Sequence, residues 1–209
     1  MALRSQLALP LADGDEGQGQ PARIVIGAAN ESAARALAEP GAWPFRTAVL
    51  SGAPRSGKSL LARWFARTHT EAQVLDEAHT LPEPEVFHAW NRAQEGGTPL
   101  LLIAGAEEWA IALPDLRSRL TAALHLQIEE PDDTLLAALL EAHAERRRLV
   151  LGADAATYLV PRIERSFAAV ERVVAEIDRL SLERKVAPGR SIWRDALDAV
   201  QGPRQPPLL

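Results

Sequence analysis

The strongest indication of the fold is the segment Gly52-Ala53-Pro54-Arg55-Ser56-Gly57-Lys58-Ser59. It follows a β-prone run at residues 47–50 and opens a helical pattern at residues 58–66. A glycine-rich turn in that setting points backbone N–H groups and the positive end of the helix at a phosphate. Because the spacing matches GxxxxGK[ST] completely, a phosphate-binding loop is favoured over a chance glycine-rich turn.

The side chains at the end of this loop suit a nucleotide and its metal ion. Lys58 is placed to reach the β and γ phosphate oxygens, and the Ser59 hydroxyl to ligate Mg²⁺. Lys58 is one of only two lysines in a chain that otherwise uses arginine, which favours a chemical demand for an ammonium group here. The other residues of this stretch that we expect at the nucleotide are Gly52, Pro54, Arg55, Ser56, Gly57 and Leu60.

A second acidic group for the metal follows a later strand. Residues 73–75 form a short strand pattern that runs into Asp76 and Glu77. We predict that Asp76 holds Mg²⁺ through water and that Glu77 orients the attacking water. The alternative is an acidic strand end that merely begins a loop, and the phosphate-binding loop upstream weighs against it.

Outward from the phosphate-binding loop, residues 23–131 form a predicted α/β core. Short strands alternate with helices, which predicts parallel βα units and a three-layer α/β/α arrangement. The predicted strands are residues 24–26, 47–50, 73–75, 100–103 and 124–128, and the predicted helices are residues 31–37, 58–66, 84–94 and 116–122.

The remainder of the chain divides into three segments. Residues 132–200 carry helical periodicity with no convincing strand, which predicts a small all-α lid. Residues 1–22 contain a Gly-, Gln- and acid-rich stretch and are interpreted as a flexible N-terminal tail. Residues 201–209 are Pro-rich and are expected to form a disordered tail.

Composition excludes several classes of protein. Of the 209 residues, 47% are hydrophobic and 24% charged, which is typical of a globular chain. The chain has no cysteine, which excludes disulfides, thiolate metal sites and a cysteine nucleophile. No apolar stretch approaches the roughly 20 residues of a membrane span, and the N-terminus lacks a signal-peptide core, so we expect a cytoplasmic protein with no membrane partner. The net charge of −5 gives no global attraction to nucleic acid.

Two further segments carry a family resemblance, Ile24-Val25-Ile26-Gly27-Ala28-Ala29-Asn30 and Leu113-Pro114-Asp115-Leu116-Arg117-Ser118-Arg119-Leu120. Together with the phosphate-binding loop they resemble the AAA+ proteins of the DnaA group, and the resemblance extends over nearly the whole chain. It implies that Ile26 and Gly27 close over the adenine of bound ADP or ATP. It also implies that Arg119 is an arginine finger, which reaches a neighbouring subunit's nucleotide and stabilises charge developing on the γ-phosphate.

The N-terminal tail carries a short apolar motif, Gln6-Leu7-Ala8-Leu9-Pro10-Leu11. It is similar to the motif by which a regulatory member of the DnaA group binds the sliding clamp, the β subunit of DNA polymerase III. The resemblance implies that Leu9 and Leu11 enter an apolar pocket of the clamp while Gln6 meets polar groups at its rim, with Leu7 and Pro10 beside them. DNA contact is then expected only through the clamp, since the sequence ends soon after the helical segment and leaves no room for a helix-turn-helix domain.

Several departures from the family pattern bear on catalysis. Asp76 follows Lys58 by only 18 positions, too few for the strand and helix that the family inserts there, so we predict a trimmed sheet. Ala168 falls where the family has its second-sensor arginine, and Arg165 and Arg172 are out of register. The first-sensor region, residues 103–106, has no polar side chain. We therefore expect ADP or ATP with Mg²⁺ to be bound better than it is hydrolysed.

Three functions remain open on this reading. The first is a regulatory adaptor that docks on the sliding clamp and presents Arg119 to ATP held by DnaA, which switches the initiator off. The second is a stand-alone ATPase of helicase-loader type in which Glu77 serves as the water-orienting base. The third is an interaction module whose vestigial nucleotide site holds core and lid together. A homodimer is compatible with each of them.

Overall fold

The computed structural model describes residues 8–9 and 24–202. The chain divides into two compact units. One is Ala28–Glu129, and the other comprises the described parts of Met1–Gly27 and Glu130–Leu209. We call them the sheet unit and the helical unit.

Strands and helices alternate through most of the first part of the described chain, and helices follow the last described strand. The described strands are β1 (Ala8–Leu9), β2 (Ile24–Val25), β3 (Thr47–Gly52), β4 (Gln73–Leu75), β5 (Leu100–Ile103) and β6 (Leu124–Ile128). The described α-helices are α1 (Glu31–Ala38), α2 (Lys58–Thr68), α3 (Glu83–Gly96), α4 (Pro114–Thr121), α5 (Asp133–Arg146), α6 (Ala155–Leu159), α7 (Phe167–Arg184) and α8 (Arg190–Gln201).

The sheet unit is built on four parallel strands in the order β4-β5-β3-β6. Leu50 of β3 lies beside Ile103 of β5 and Leu126 of β6 in the register. Every residue of β5 is buried, as is nearly every residue of β3. Central strands of a parallel sheet have this character because helices cover both faces.

The two helical layers have separate apolar contacts. On one face, residues of β5 pack with α3 and α4 through a cluster that includes Leu100, Leu102, Val86, Ala89, Leu116 and Leu120. The other layer contains α1 and α2, where the Trp43 ring stacks on Phe65 with 5.2 Å between centroids. The predicted three-layer α/β/α core with a trimmed parallel sheet is confirmed. Only residues 69–72 separate α2 from β4, so no extra strand and helix are inserted there.

The helical unit buries its own core. Helices α5, α6, α7 and α8 contribute apolar residues to one cluster, among them Leu140, Leu159, Ile177 and Trp193. Trp193 is 2% exposed and lies 5.8 Å from the Tyr158 ring, centroid to centroid. The Ser166 hydroxyl caps α7 by accepting the N–H of Ala169 at 3.1 Å, which is the arrangement expected of a serine at a helix start.

The first strand of the α/β prediction has a different role in the structure. The sequence pattern places residues 24–26 at the start of the sheet core, but Ile24 and Val25 pair antiparallel with Leu9 and Ala8 in the helical unit. Two-residue strands carry no periodic signal, and their pairing is set by the chain that lies beside them. Apart from this pair, the described part of the helical unit contains no strand.

Within the described ranges, the helices lack the combination of length and apolar character that a membrane crossing requires.

Candidate functional site

The phosphate-binding loop connects β3 to α2 in the sheet unit. Gly57 precedes the helix with φ of 92°, a left-handed conformation that glycine adopts without a steric penalty, and no side chain caps the helix start. The first N–H groups of a helix have no partner within it, so those at the start of α2 are left for a ligand. The carbonyl of Gly57 accepts the N–H groups of Leu60 and Leu61, each at 3.0 Å. The backbone donor of Leu60 is therefore committed to the helix.

Lys58 lies across the loop that precedes it. Its Nζ donates to the carbonyl oxygens of Gly52 at 2.7 Å and Ala53 at 2.9 Å. Partial burial lowers the pKa of the ammonium below its ordinary value of 10.5, and the negative charges of Asp76 and Glu77 partly oppose that shift. The ammonium group is thus held over the mouth of the loop by carbonyls that a phosphate oxygen can replace.

The structure brings Ser59 and Asp76 together. The Ser59 hydroxyl donates to Asp76 Oδ2 at 3.1 Å, although β5 separates the strands that precede the two residues. The N–H of Glu77 donates to Asp76 Oδ1 at 2.9 Å, and Glu77 itself is exposed with φ of 48°. A hydroxyl and a carboxylate at this separation suit Mg²⁺, which takes oxygen ligands and keeps several waters or phosphate oxygens.

Two buried groups shape the loop from inside. A Cβ built on Gly52 would lie 3.0 Å from the Ile128 Cβ and 3.2 Å from the Ser56 hydroxyl, so only glycine fits at φ of 153°. Ser56 is 3% exposed, and its hydroxyl has no hydrogen-bond partner among the described residues. The predicted Pro54 and Arg55 are exposed at the top of the loop, where Arg55 has φ of 66°.

The donor set fits a nucleotide's phosphates: an ammonium group, the first N–H groups of α2 and the Ser59 hydroxyl lie on one loop. In the described part of the chain, no group of three or more His, Asp or Glu residues is arranged to hold a metal. A metal at Ser59 and Asp76 must therefore take its other ligands from water or phosphate, as Mg²⁺ does in phosphoryl-transfer sites.

Arg119 is packed against α3. Its Nη1 donates to Asn91 Oδ1 at 2.6 Å, and its Cζ lies 4.2 Å from the ring centroids of both Phe87 and Trp90. The predictions from sequence missed these three residues. Their i, i+3, i+4 spacing on one helix face was the available signal, but it does not say what that face contacts.

The loop before α4 is tied to the start of α3. The Glu83 carboxylate accepts the N–H groups of Ala112 at 2.6 Å and Leu113 at 2.7 Å. These hydrogen bonds lower the pKa of Glu83 below its ordinary value. Arg117 donates to the carbonyl of Ile111 from the same loop through Nε at 2.9 Å and also through Nη2. The predictions from sequence also missed Glu83.

The remaining predicted residues lie in the helical unit or outside the described residues. Ile26 is buried, and a Cβ on Gly27 would lie 3.1 Å from the Leu135 side chain. Ala168 is the second residue of α7. Of the residues predicted to bind the clamp, Leu9 belongs to β1, while Gln6, Leu7, Pro10 and Leu11 are outside the described residues.

The two arginines that the sequence places out of register with the expected second-sensor position both form ion pairs. Arg165 pairs with Asp133 at 2.8 Å, and Arg172 with Glu164 at 3.9 Å. All four side chains are largely exposed, so each pair is of the surface type that contributes little to stability.

No family model matches the chain. An uncharacterized protein of Haemophilus influenzae (strain ATCC 51907 / DSM 11121 / KW20 / Rd) is 29% identical over 104 residues. That match covers 48% of this chain and 45% of the Haemophilus protein, so the chain spans less than half the length of this curated relative.

Comparison with solved structures shows which known folds this chain resembles. Domain III of the Thermotoga maritima replication initiation protein DnaA matches with a TM-score of 0.73 at 12% identity, covering 86% of this chain and 95% of that one. A single-substitution variant of Thermotoga maritima RuvB matches with a TM-score of 0.64 at 16% identity, over 86% and 73% of the two chains. DnaA bound to AMPPCP and single-stranded DNA matches at 0.62 and 16%, over 78% and 66%.

The chain therefore has a DnaA-like AAA+ fold, with a P-loop α/β/α core and a helical C-terminal part.

Proposed function

We propose that this chain is a regulator of replication initiation that resembles Hda, the DnaA-related AAA+ protein. In this proposal it binds ADP or ATP with Mg²⁺, docks on the DNA polymerase sliding clamp, and supplies Arg119 to ATP held by DnaA. Hydrolysis in DnaA then switches the initiator off. The observation that carries the proposal is the fold match to DnaA domain III over 95% of that domain, combined with a formed phosphate-binding loop.

Nucleotide binding is supported by the geometry of the loop and by a structural neighbour. The contacts of Lys58 with the loop carbonyls and of Ser59 with Asp76 support a phosphate and metal site at these residues. One of the DnaA structures with a matching fold is bound to AMPPCP. Because β5 ends at Ile103 and is followed by Ala104 and Gly105, no polar side chain follows it directly, which favours binding over rapid turnover.

Action in a partner's site is supported by the place of Arg119. It lies on α4, a short helix after a loop fixed by Glu83, and its guanidinium is held by side chains of α3. An arginine delivered to another subunit's nucleotide stabilises charge on the transferring phosphoryl group. Clamp docking is supported by the sequence of residues 6–11 alone.

The test measures turnover of DnaA-bound ATP with clamp loaded on DNA. We expect the unchanged protein to stimulate turnover, Arg119→Ala to abolish the stimulation, and a variant with Gln6 and Leu9 both changed to Ala to lose clamp binding. Arg92→Ala is the matched control, because Arg92 is exposed on α3 and its side chain makes no hydrogen bond or ion pair among the described residues. Unchanged turnover with the wild-type protein would reject the proposal.

The same preparations test the stand-alone ATPase. That function predicts hydrolysis by the isolated protein, lost in Glu77→Gln with nucleotide binding retained. It is favoured by the position of Glu77, exposed directly after Asp76. No turnover above background rejects it.

A further inference from the structure

The guanidinium of Arg119 is held by three side chains of a single helix. Asn91 accepts from Nη1, while the rings of Phe87 and Trp90 each lie 4.2 Å from Cζ. Positions 87, 90 and 91 lie on one face of α3, and Arg119 itself is only partly exposed. These contacts fix both the position and the plane of the guanidinium group.

The contacts leave most of the hydrogen-bonding capacity of Arg119 unused. A guanidinium carries five N–H donors, and aromatic rings contact its faces and not its edges. Among the described residues Asn91 is the one hydrogen-bond partner of this guanidinium. Its other N–H donors therefore have no partner in the part of the chain that the structure describes, which suits a ligand that brings several acceptor oxygens.

The arrangement is poorly optimised for stability alone. The indole N–H of Trp90 is buried and has no hydrogen-bond partner among the described residues. A buried donor without a partner destabilises a fold. Departures of this kind concentrate at sites where geometry serves function.

We propose that Asn91, together with Phe87 and Trp90, is a positioning residue for Arg119. It holds the guanidinium so that the unused N–H edge meets the γ-phosphate oxygens of a nucleotide bound by a neighbouring subunit. This inference rests on the proposed function of Arg119. Its physical basis is preorganisation, since a free arginine loses its rotamer freedom on binding and a held arginine has already lost it.

The kinetic test uses the DnaA-bound ATP assay at saturating concentrations of this protein. Asn91→Ala is expected to lower the maximal stimulated rate by roughly 10- to 100-fold, because a small displacement of a catalytic group has effects of that size. The concentration for half-maximal stimulation is expected to stay the same, since the role proposed for Asn91 is to hold Arg119 and not to bind the partner. Asn91→Asp keeps an acceptor oxygen and is expected to retain a rate close to that of the unchanged protein. Arg92→Ala, one position further along α3, is again the control.

A second measurement follows the guanidinium directly and needs no partner. The ¹⁵N relaxation of the Arg119 Nε–H group is expected to give an order parameter of about 0.85, the value of a rigid backbone N–H group, in the unchanged protein. In Asn91→Ala it is expected to fall below about 0.6. An equally ordered guanidinium in both proteins overturns the positioning role.

The outcomes separate this inference from the proposed function. If Arg119→Ala abolishes stimulation and Asn91→Ala leaves the maximal rate unchanged, the positioning role is wrong and the function of Arg119 stands. If the wild-type protein does not stimulate turnover, the proposed function and this inference both fail, and the order parameter then describes only a packing contact.

Discussion

At the scale of single residues, the two glycines that flank the phosphate-binding loop have different requirements. Gly52 combines φ of 153° with a space so small that a Cβ would lie 3.0 Å from Ile128 Cβ and 3.1 Å from its carbonyl oxygen. Gly57 has φ of 92° but open space around it. Gly41 has neither restriction. Glycine-to-alanine substitutions at these three positions therefore separate the effect of backbone strain from the effect of steric crowding.

We predict a graded loss of stability in three glycine-to-alanine variants. Gly52→Ala should lower the free energy of unfolding by about 2–3 kcal/mol through strain and overpacking together. Gly57→Ala should lower it by about 1 kcal/mol through strain alone. Gly41→Ala should leave it unchanged or raise it by up to about 1 kcal/mol. Urea unfolding followed by tryptophan fluorescence measures the series, and equal values for Gly52→Ala and Gly57→Ala would contradict the steric argument.

At the scale of elements, one carboxylate at the start of α3 adds hydrogen bonds to the apolar packing of α3 with α4. Glu83 accepts two backbone N–H groups from the loop before α4, and these bonds lower its pKa. A group whose pKa is lower in the folded state contributes stability above its ordinary pKa, here 4.5. That contribution is lost as the pH falls through the lower pKa of the folded state.

We predict that Glu83→Gln releases the loop at neutral pH. An amide offers one acceptor oxygen and places an NH₂ group against the second N–H, so amide hydrogen exchange at Ala112 and Leu113 should become faster than in the unchanged protein at pH 7. The ratio of the two exchange rates should approach one only as the pH falls below 4.5 and through the lowered pKa of the folded state, where the wild-type carboxylate becomes protonated.

The control for this exchange experiment lies in the same turn of α3. Glu85 is exposed and makes no side-chain hydrogen bond or ion pair among the described residues. Glu85→Gln should leave the exchange of Ala112 and Leu113 unchanged at every pH. Faster exchange in both variants would show that charge near the helix start, and not the Glu83 hydrogen bonds, holds the loop.

The strands and helices also show how far the sequence predicts the structure. Strands 73–75, 100–103 and 124–128 are observed at the predicted bounds, because apolar runs between turn residues are a local signal. Helix α4 begins at Pro114, two residues before its predicted start, since proline suits the first helical turn. Contacts between distant segments have no such signal. The pairing of β1 with β2 and the packing of Arg119 on α3 are therefore visible only in the structure.

The residues of the candidate site also differ in how far the sequence predicts them. The GxxxxGK[ST] spacing identifies the residues of the phosphate-binding loop because they are consecutive and their chemistry is local. The approach of Ser59 to Asp76 is predicted only through the motif's known relation to a later acidic strand end. Asn91, 28 positions from Arg119, belongs to no motif, and nothing in the sequence connects the two residues.

At the scale of the whole molecule, the division into two units makes it possible to measure how a nucleotide affects the unit that contains the phosphate-binding loop. The phosphate-binding loop lies in the sheet unit, Ala28–Glu129. Four of the five tryptophans lie in that unit, and only Trp193 belongs to the helical unit. Tryptophan fluorescence therefore reports mainly on unfolding of the unit that contains the loop.

We predict that ADP with Mg²⁺ stabilises the sheet unit by RT ln(1 + [ADP]/Kd), which is about 2.7 kcal/mol at an ADP concentration 100 times Kd. The physical reason is that the helix N–H groups, Lys58 and Ser59 converge on phosphate only in the folded loop. Urea unfolding with and without ADP measures the change. Lys58→Ala should lose most of the shift, and Lys185→Ala, which removes the other lysine of the chain from the helical unit, should retain it. A midpoint that does not move at saturating ADP would remove nucleotide binding from the proposed function, and an equal shift in Lys58→Ala would place the binding outside this loop.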